Sequence, residues 1–382
     1  MRYIYKKVQS DFVKYNKIAF IAGPRQVGKT TLSLYFLGDA ADESHPAYFN
    51  WDNDEDRNKV IKGHFPSDQP LIILDEIHKF HDWRRLVKSL YDKTKSKKRY
   101  IVTGSARLDH YRHGGDSLMG RYFFYRLHPL SPMEIDLSQN PKPIENLMMY
   151  SGFPEPFFNK DSGFLKRWQN ERRKRVMQED LMVLERVVEI KKLSLLMTML
   201  PARIGSLLSL RSIAEDLSTS HNTIEKWITI LENLYYCFRV SPWGSKEIVR
   251  ALKKEQKLFL WDWSQVRDEG ARFENLVASI LLKYIHRKED FEGEVFRLHF
   301  LRDKEKREIN FIVTEQDGTP IFAVECKSKN KNLSKHLEYF SGKIPSIPMY
   351  QVSLESSDSW ESADGRIRVM SFKRFCREVL AL

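Results

Sequence analysis

The stretch 18-IAFIAGPRQVGKTTLSLYFL-37 decides how the N-terminal part of this chain folds. Its centre, GPRQVGKT at 23–30, fits G-x-x-x-x-G-K-[ST] in full, between an apolar strand-like run and a helix-like run. In such a bend Gly23 and Gly28 let backbone N–H groups turn inward around phosphate oxygens, where a side chain would collide. The helix that follows points its positive end at the same anion. The expected contacts to ATP are Gly23, Pro24, Arg25, Gln26, Val27, Gly28, Lys29, Thr30 and Thr31. Lys29 reaches the β- and γ-phosphates, and Thr30 offers its hydroxyl to Mg2+.

Working outward, further apolar runs occur at AYFNWD (47–52), LIILDE (71–76) and RYIVTGS (99–105), separated by helix-length segments. Their continuous apolar character suits strands buried on both faces of a parallel, doubly wound sheet. Ligands of such sheets sit at the carboxyl ends of the strands, so Asp75 and Glu76 are expected beside the cradle. Asp75 is the candidate Mg2+-side ligand, and Glu76 the candidate base that orients the attacking water. Ser105, with Thr103 as the alternative, could contact the γ-phosphate or that water. Asp52 ends another strand and could touch the nucleotide or its magnesium shell. Arg121 in SLMGRYFFYRL is a candidate finger for a neighbouring subunit's γ-phosphate, with Arg107 and Arg126 as competitors.

The 382 residues exceed one ordinary core and suggest two or three domains. Hydrophobic content of 42% and aromatic content of 12% describe a folded protein. Lys+Arg at 63 against Asp+Glu at 51 leaves +12, a balance that favours polyanion partners. Three scattered cysteines, Cys237, Cys326 and Cys376, imply neither a disulfide framework nor a metal cluster. With no apolar leader and no membrane-length apolar run, no membrane association and a cytoplasmic location are the expectation.

Residues 209–240 have a helix-turn-helix rhythm, with Ile213, Ala214 and Leu217 on one helix and Ile224, Trp227, Ile228 and Leu231 on the next. Ser220 or Asn222 can cap the second helix, and FRVSPWG after it can serve as a wing. His221, Asn222, Glu225 and Lys226 would face a DNA groove, although Glu225 repels phosphate. Upstream, Lys166, Arg167, Arg172, Arg173, Lys174 and Arg175 form a basic helix that is either solvated or tracks a phosphate backbone. In the C-terminal α/β unit, Glu325 and Lys327 project to one face of a strand, an arrangement that suits metal-assisted phosphodiester cleavage. The partner acid on the preceding strand is missing: Asn310 stands there, with Glu308 two residues away and Glu274 on a helix before it. An inert scaffold is therefore expected. The pairs His78/His81 and His110/His113 lack companion ligands and read as polar surface.

Together, GPRQVGKTTL, LIILDEIHK, VTGSARL, LMGRYFFYRLHPLSPMEI, GFPEP, RFENLVA and EINFIVT…AVECKSK resemble the prokaryotic AAA-type P-loop ATPases. That resemblance implies an α/β fold: a P-loop parallel-sheet domain, a helical winged-helix module and a restriction-endonuclease-like C-terminal domain. The expected boundaries are 1–145 for the ATPase domain, 146–205 for a helical lid or linker, 206–255 for the winged helix and 256–382 for the C-terminal domain. Lys29, Thr30, Asp75 and Glu76 then carry the ATPase site, Arg121 is the candidate finger, and a ring or other homo-oligomer follows. Glu274, Glu308, Asn310, Glu325 and Lys327 would be the nuclease-like remnant, and the family often has an acid at the position of Asn310. The expected activity is Mg-dependent ATP hydrolysis by a motor or switch on duplex or branched DNA. The alternatives are an ATP-gated signalling protein with a protein partner and an ATP-dependent nuclease.

Overall fold

The computed structural model describes residues 1–94, 97–104, 118–136, 138, 142–177, 189–244, 256–329, 332–355 and 359–381. The chain divides into two compact units, Met1–Pro129 with Asn233–Tyr235, and Leu130–Glu232 with Tyr236–Leu382.

In the first unit, helix α1 (Tyr5–Tyr15) precedes β1 (Ile18–Ala22), and α2 (Lys29–Tyr35) follows the glycine bend. Then come β2 (Tyr48–Asn50), α3 (Asp54–Lys62), β3 (Leu71–Asp75), α4 (Trp83–Thr94), β4 (Arg99–Gly104) and β5 (Tyr122–Arg126). The strands form one parallel sheet in the order β2-β3-β4-β1-β5. Every residue of β1 is buried, as the unbroken apolar run requires of a central strand covered on both faces. Helix α4 turns Trp83, Val87 and Leu90, at helical spacing, onto a core that includes Phe20, Phe49, Ile72, Leu74, Tyr100 and Val102. Asn53 caps α3 by accepting from the N–H groups of Glu55 and Asp56, and Gly63 closes it in the left-handed region at φ 66°. Because β4 lies between β3 and β1, the carboxyl ends of these three strands meet at one edge of the sheet.

The second unit begins with α5 (Pro143–Tyr150), α6 (Pro154–Asn159), α7 (Ser162–Arg175), α8 (Ile190–Met199), α9 (Leu210–Asp216) and α10 (His221–Asn233). Ser220 is the cap that α10 uses: its hydroxyl oxygen accepts from the Thr223 N–H at 3.1 Å. After β6 (Cys237–Pro242) and β7 (Lys257–Leu260) comes the 24-residue α11 (Glu269–Glu292), then β8 (Phe296–Arg302), β9 (Glu308–Glu315) and β10 (Pro320–Lys329). Helix α12 (Lys335–Lys343), β11 (Met349–Glu355), β12 (Trp360–Glu361), β13 (Ile367–Ser371) and α13 (Phe372–Glu378) complete it. The sheet is mixed, in the order β12-β13-β11-β10-β9-β8-β6-β7. FRVSPWG, expected as a wing, supplies β6, which pairs antiparallel with β7 and parallel with β8. A boundary at 255 therefore falls between two paired strands, Cys237 lying opposite Leu260. No helix among the described residues is long and apolar enough to cross a membrane.

The expected ATPase-domain end at 145 also differs from the compact unit, which stops at Pro129. The reason is a buried polar tie. Lys283 on α11 is fully buried; its ammonium pairs with the Glu134 carboxylate and donates to the Ser131 hydroxyl at 3.1 Å. Glu134 in turn accepts from the Ser131 N–H at 3.0 Å, so residues 131–134 are bound into the second unit. Removing one member of such a pair strands a charge away from water, at a cost of about 3–5 kcal/mol. Lys283→Met is expected to lose that much in urea unfolding, and adding Glu134→Gln to recover part of it. Strictly additive losses would show that the two groups are not coupled.

Candidate active site

The bend between β1 and α2 is built as phosphate cradles must be. Gly23 admits no side chain, because a Cβ there would lie 2.2 Å from the carbonyl oxygen of Leu127. Gly28 holds φ 93° at the helix N-cap, a conformation that disfavours any other residue. Lys29 is buried and donates to the carbonyls of Gly23 at 3.1 Å and Pro24 at 2.9 Å. An ammonium resting on the carbonyls of its own loop sits at the bend, within side-chain reach of any anion bound there.

Asp75 is 3% exposed and is held by three hydroxyls from three elements. Thr30 donates to Oδ2 at 2.7 Å, Tyr48 donates to the same oxygen at 2.8 Å, and Thr103 donates to Oδ1. The Thr103 contact follows from strand order, since Leu74 of β3 lies opposite Val102 of β4. The oxygens of Thr30 and Asp75 form the hard donor set that Mg2+ takes, so these residues fit the ion. Thr103, the alternative to Ser105, spends its hydroxyl on Asp75. Ser105, Arg107, His110 and His113 lie outside the described residues.

Glu76 follows in a left-handed conformation, φ 55°, which costs a non-glycine residue about 1–3 kcal/mol. Its Oε2 is buried with no hydrogen-bond partner among the described residues. Burial pushes its carboxyl above the ordinary value; the charge of Asp75 pushes the same way, while Lys29, Arg25 and Lys79 pull back. His78 corrects the expectation of polar surface. It is 4% exposed in the turn Ile77–Lys79, with Nε2 3.7 Å from Glu76 Oε2, whereas His81 is exposed. Asp52 is exposed and pairs with Lys79 at 2.5 Å.

Arg121 grips Asp92 of α4 through two nitrogens, Nε–Oδ1 at 2.8 Å and Nη2–Oδ2 at 3.1 Å. Its competitor Arg126 is 5% exposed within β5 and has no surface to offer a neighbour. Sequence reasoning missed Tyr48, because its hydroxyl reaches Asp75 diagonally across the β2–β3 pair, where Tyr48 itself lies opposite Ile73. It also missed Arg2, whose guanidinium donates to the Val27 carbonyl at 2.7 Å.

The C-terminal acids fall into two hydrogen-bonded groups. Glu325 pairs with Lys327 at 2.9 Å and accepts from the Ser334 hydroxyl at 3.3 Å, while the Asn310 side-chain oxygen accepts from the Cys326 N–H at 2.9 Å. Glu274 and Glu308 share a different cation: the fully buried ammonium of Lys257 lies 2.9 Å from the first and 2.5 Å from the second. Burial works against that charge, but the two carboxylates outweigh it and raise the lysine's pKa. No group of three or more acid, histidine or cysteine ligands able to hold a metal occurs among the described residues. Lys257 lies between two of the remnant's acids, Glu274 and Glu308, and Lys327 pairs with Glu325.

Comparisons with known proteins agree with the first unit's geometry. Residues 15–135 match the family model of an AAA domain. Residues 141–267 and 269–374 match two domains of unknown function, DUF8612 and DUF4143. Residues 15–135 thus form an AAA-type P-loop domain. Uncharacterized proteins of Mycobacterium bovis and Mycobacterium tuberculosis are each 24% identical over 247 residues, 64% of this chain. The match spans only 54% of those relatives' length. Among solved structures, the Aeropyrum pernix ORC1 protein in complex with DNA is 12% identical at TM-score 0.34, covering 74% of this chain and 94% of that one. A variant of Thermotoga maritima RuvB is 16% identical at TM-score 0.31, covering 62% and 88%. Likeness at those scores carries no function across.

Tyr48 gives the site a test. Tyr48→Phe removes one of the two donors to Asp75 Oδ2, a loss of about 1 kcal/mol. The Mg2+ concentration for half-maximal ATP turnover is expected to rise roughly fivefold, with Mg-free nucleotide binding unchanged. An unaltered Mg2+ titration would show that Tyr48 does not hold Asp75 for the ion.

Proposed function

We propose that the chain is a Mg-dependent ATP hydrolase acting as an oligomeric motor or switch on DNA. The observation that carries the hydrolase part is the junction of Lys29, the Thr30–Asp75 contact at 2.7 Å and the Glu76 carboxylate, whose buried Oε2 accepts no hydrogen bond among the described residues. Mg2+, when bound, offsets phosphate charge. Lys29 gives up its loop carbonyls for the phosphates, Asp75 fixes the Thr30 hydroxyl, and Glu76 accepts the proton of the attacking water. Service by Arg121 to a neighbouring subunit requires release of Asp92.

The DNA part rests on charge. Helix α7 buries Leu165, Trp168 and Arg172, the guanidinium of Arg172 lying 4.4 Å from the ring centre of Phe153. That anchored face leaves Lys166, Arg167, Lys174 and Arg175 exposed. Lys166 and Arg173, and Arg167 and Lys174, are seven residues apart, so they stack in columns about 10 Å long. On α10, Glu225 pairs with Arg239 at 2.6 Å, which relieves the repulsion expected beside exposed His221, Asn222 and Lys226. The restriction-endonuclease-like domain acts in this reading as an inert effector module, and plasmid DNA stays intact with Mg2+ or Mn2+.

Glu76→Gln is expected to bind ATP normally while turnover falls about 100-fold or more. A carboxyl whose pKa is raised by folding opposes folding once it ionises, so above pH 4.5 the same variant should melt higher. Normal turnover would remove Glu76 from the base role. For DNA, turnover measured against linear, single-stranded and branched nucleic acid is expected to rise with at least one of them. Duplex affinity should fall steeply with salt, and the triple change Lys166→Ala, Arg167→Ala, Lys174→Ala should reduce the log–log salt slope by about 2–3. Turnover indifferent to every nucleic acid would favour an ATP-gated switch with a protein partner.

A further inference from the structure

We infer that Arg2 is a positioning residue for the phosphate cradle, fixing the Val27–Gly28 peptide in the orientation that phosphate binding needs. The inference rests on the ATP reading above and names a determinant that no motif contains. Arg2 precedes α1, and its guanidinium is bonded at two points: Nη1 donates to the Val27 carbonyl at 2.7 Å, and Nη2 donates to the His128 carbonyl. Both acceptors belong to buried residues.

Val27 and Gly28 are the last residues of the bend before Lys29. Their shared peptide is trans, as are all described peptides, so its C=O and N–H point in opposite directions. Rotating that peptide by half a turn would present a carbonyl oxygen to the phosphate and withdraw an N–H donor. Gly28, at φ 93°, opposes such a flip less than any other residue would. The Arg2 guanidinium opposes it instead, because the flip would break a charge-assisted hydrogen bond and bury an unpaired carbonyl.

The second contact gives the lock its anchor. The Leu127 N–H donates to the Ala22 carbonyl at 2.7 Å, and the Leu127 carbonyl is the atom that excludes a side chain from Gly23. His128 is the next residue, so one guanidinium ties the end of the bend to the strand extension that shapes its beginning. A planar fork can serve two carbonyls in fixed directions; a lysine ammonium cannot reproduce that pairing. Tyr3, on the same segment, supplies a contrast: its hydroxyl donates to the Arg126 carbonyl, in β5 and not in the bend.

The test measures equilibrium binding of a fluorescent ATP analogue, steady-state turnover and melting temperature for wild type, Arg2→Met, Arg2→Lys and Tyr3→Phe. Arg2→Met should weaken nucleotide binding about tenfold or more and raise KM in step, with kcat at saturating ATP within about twofold of wild type. Arg2→Lys should recover part of the affinity. Tyr3→Phe should lower the melting temperature without changing affinity. Unchanged affinity in a folded Arg2→Met, or an equal affinity loss in Tyr3→Phe, would overturn the inference while leaving the ATPase reading intact. Should Arg2→Met not fold, full affinity in Arg2→Lys would overturn it. Failure of the wild type to bind the analogue would remove the ATPase reading and this inference with it.

Discussion

A carboxylate taken out of water must find charge or hydrogen-bond partners, or it takes up a proton and loses its use. Asp75 meets that demand with hydroxyls from the bend helix, the edge strand β2 and the neighbouring strand β4. Each donor stands where it does because of the order β2-β3-β4-β1-β5, and each fixes one more degree of freedom of the carboxylate. The bend, the acid and the strand that carries it are therefore one object. A shift of β3 by a single residue would turn Asp75 to the other face of the sheet and leave three hydroxyls and one charge unsatisfied.

The second unit solves the same problem with ammonium groups. Lys257 lies between Glu274 and Glu308, and Lys283 against Glu134. Both lysines are buried, so neither contributes to the surface excess of positive charge. Each removed partner would leave an uncompensated buried charge, so these pairs hold the second unit together. At Glu76, by contrast, the buried Oε2 accepts no hydrogen bond among the described residues, which supports the proposed role of that acid.

Much of the first unit was legible because its signals are local. GPRQVGKT specifies a backbone shape over eight consecutive residues, and LIILDE places two acids at a strand end regardless of what packs beside it. Ser220 as a helix cap is likewise a local matter. What escaped is long-range. Tyr48 meets Asp75 across 27 residues, Lys257 meets Glu308 across 51, and Arg2 meets His128 across 126. Composition and spacing carry no information about register between strands that distant in sequence. His78 departs from the expected polar surface for a related reason: lack of companion ligands says nothing of burial, and the turn Ile77–Lys79 buries His78 while His81, beyond it, is exposed. The strand β6 escaped differently, since FRVSPWG is strand-like in either a wing or a larger sheet.

Two unfavourable features coincide at Glu76, a left-handed backbone and a buried carboxylate oxygen, Oε2, without a hydrogen-bond partner among the described residues. A site that only held nucleotide would gain from relieving both. Glycine would remove the backbone strain, and an amide would remove the charge, without disturbing Lys29, Thr30 or Asp75. That a strained, costly acid stands directly after the Mg2+-side aspartate argues for a task performed during turnover rather than during binding. This strain supports the proposal that nucleotide is consumed at the site and does not merely occupy it.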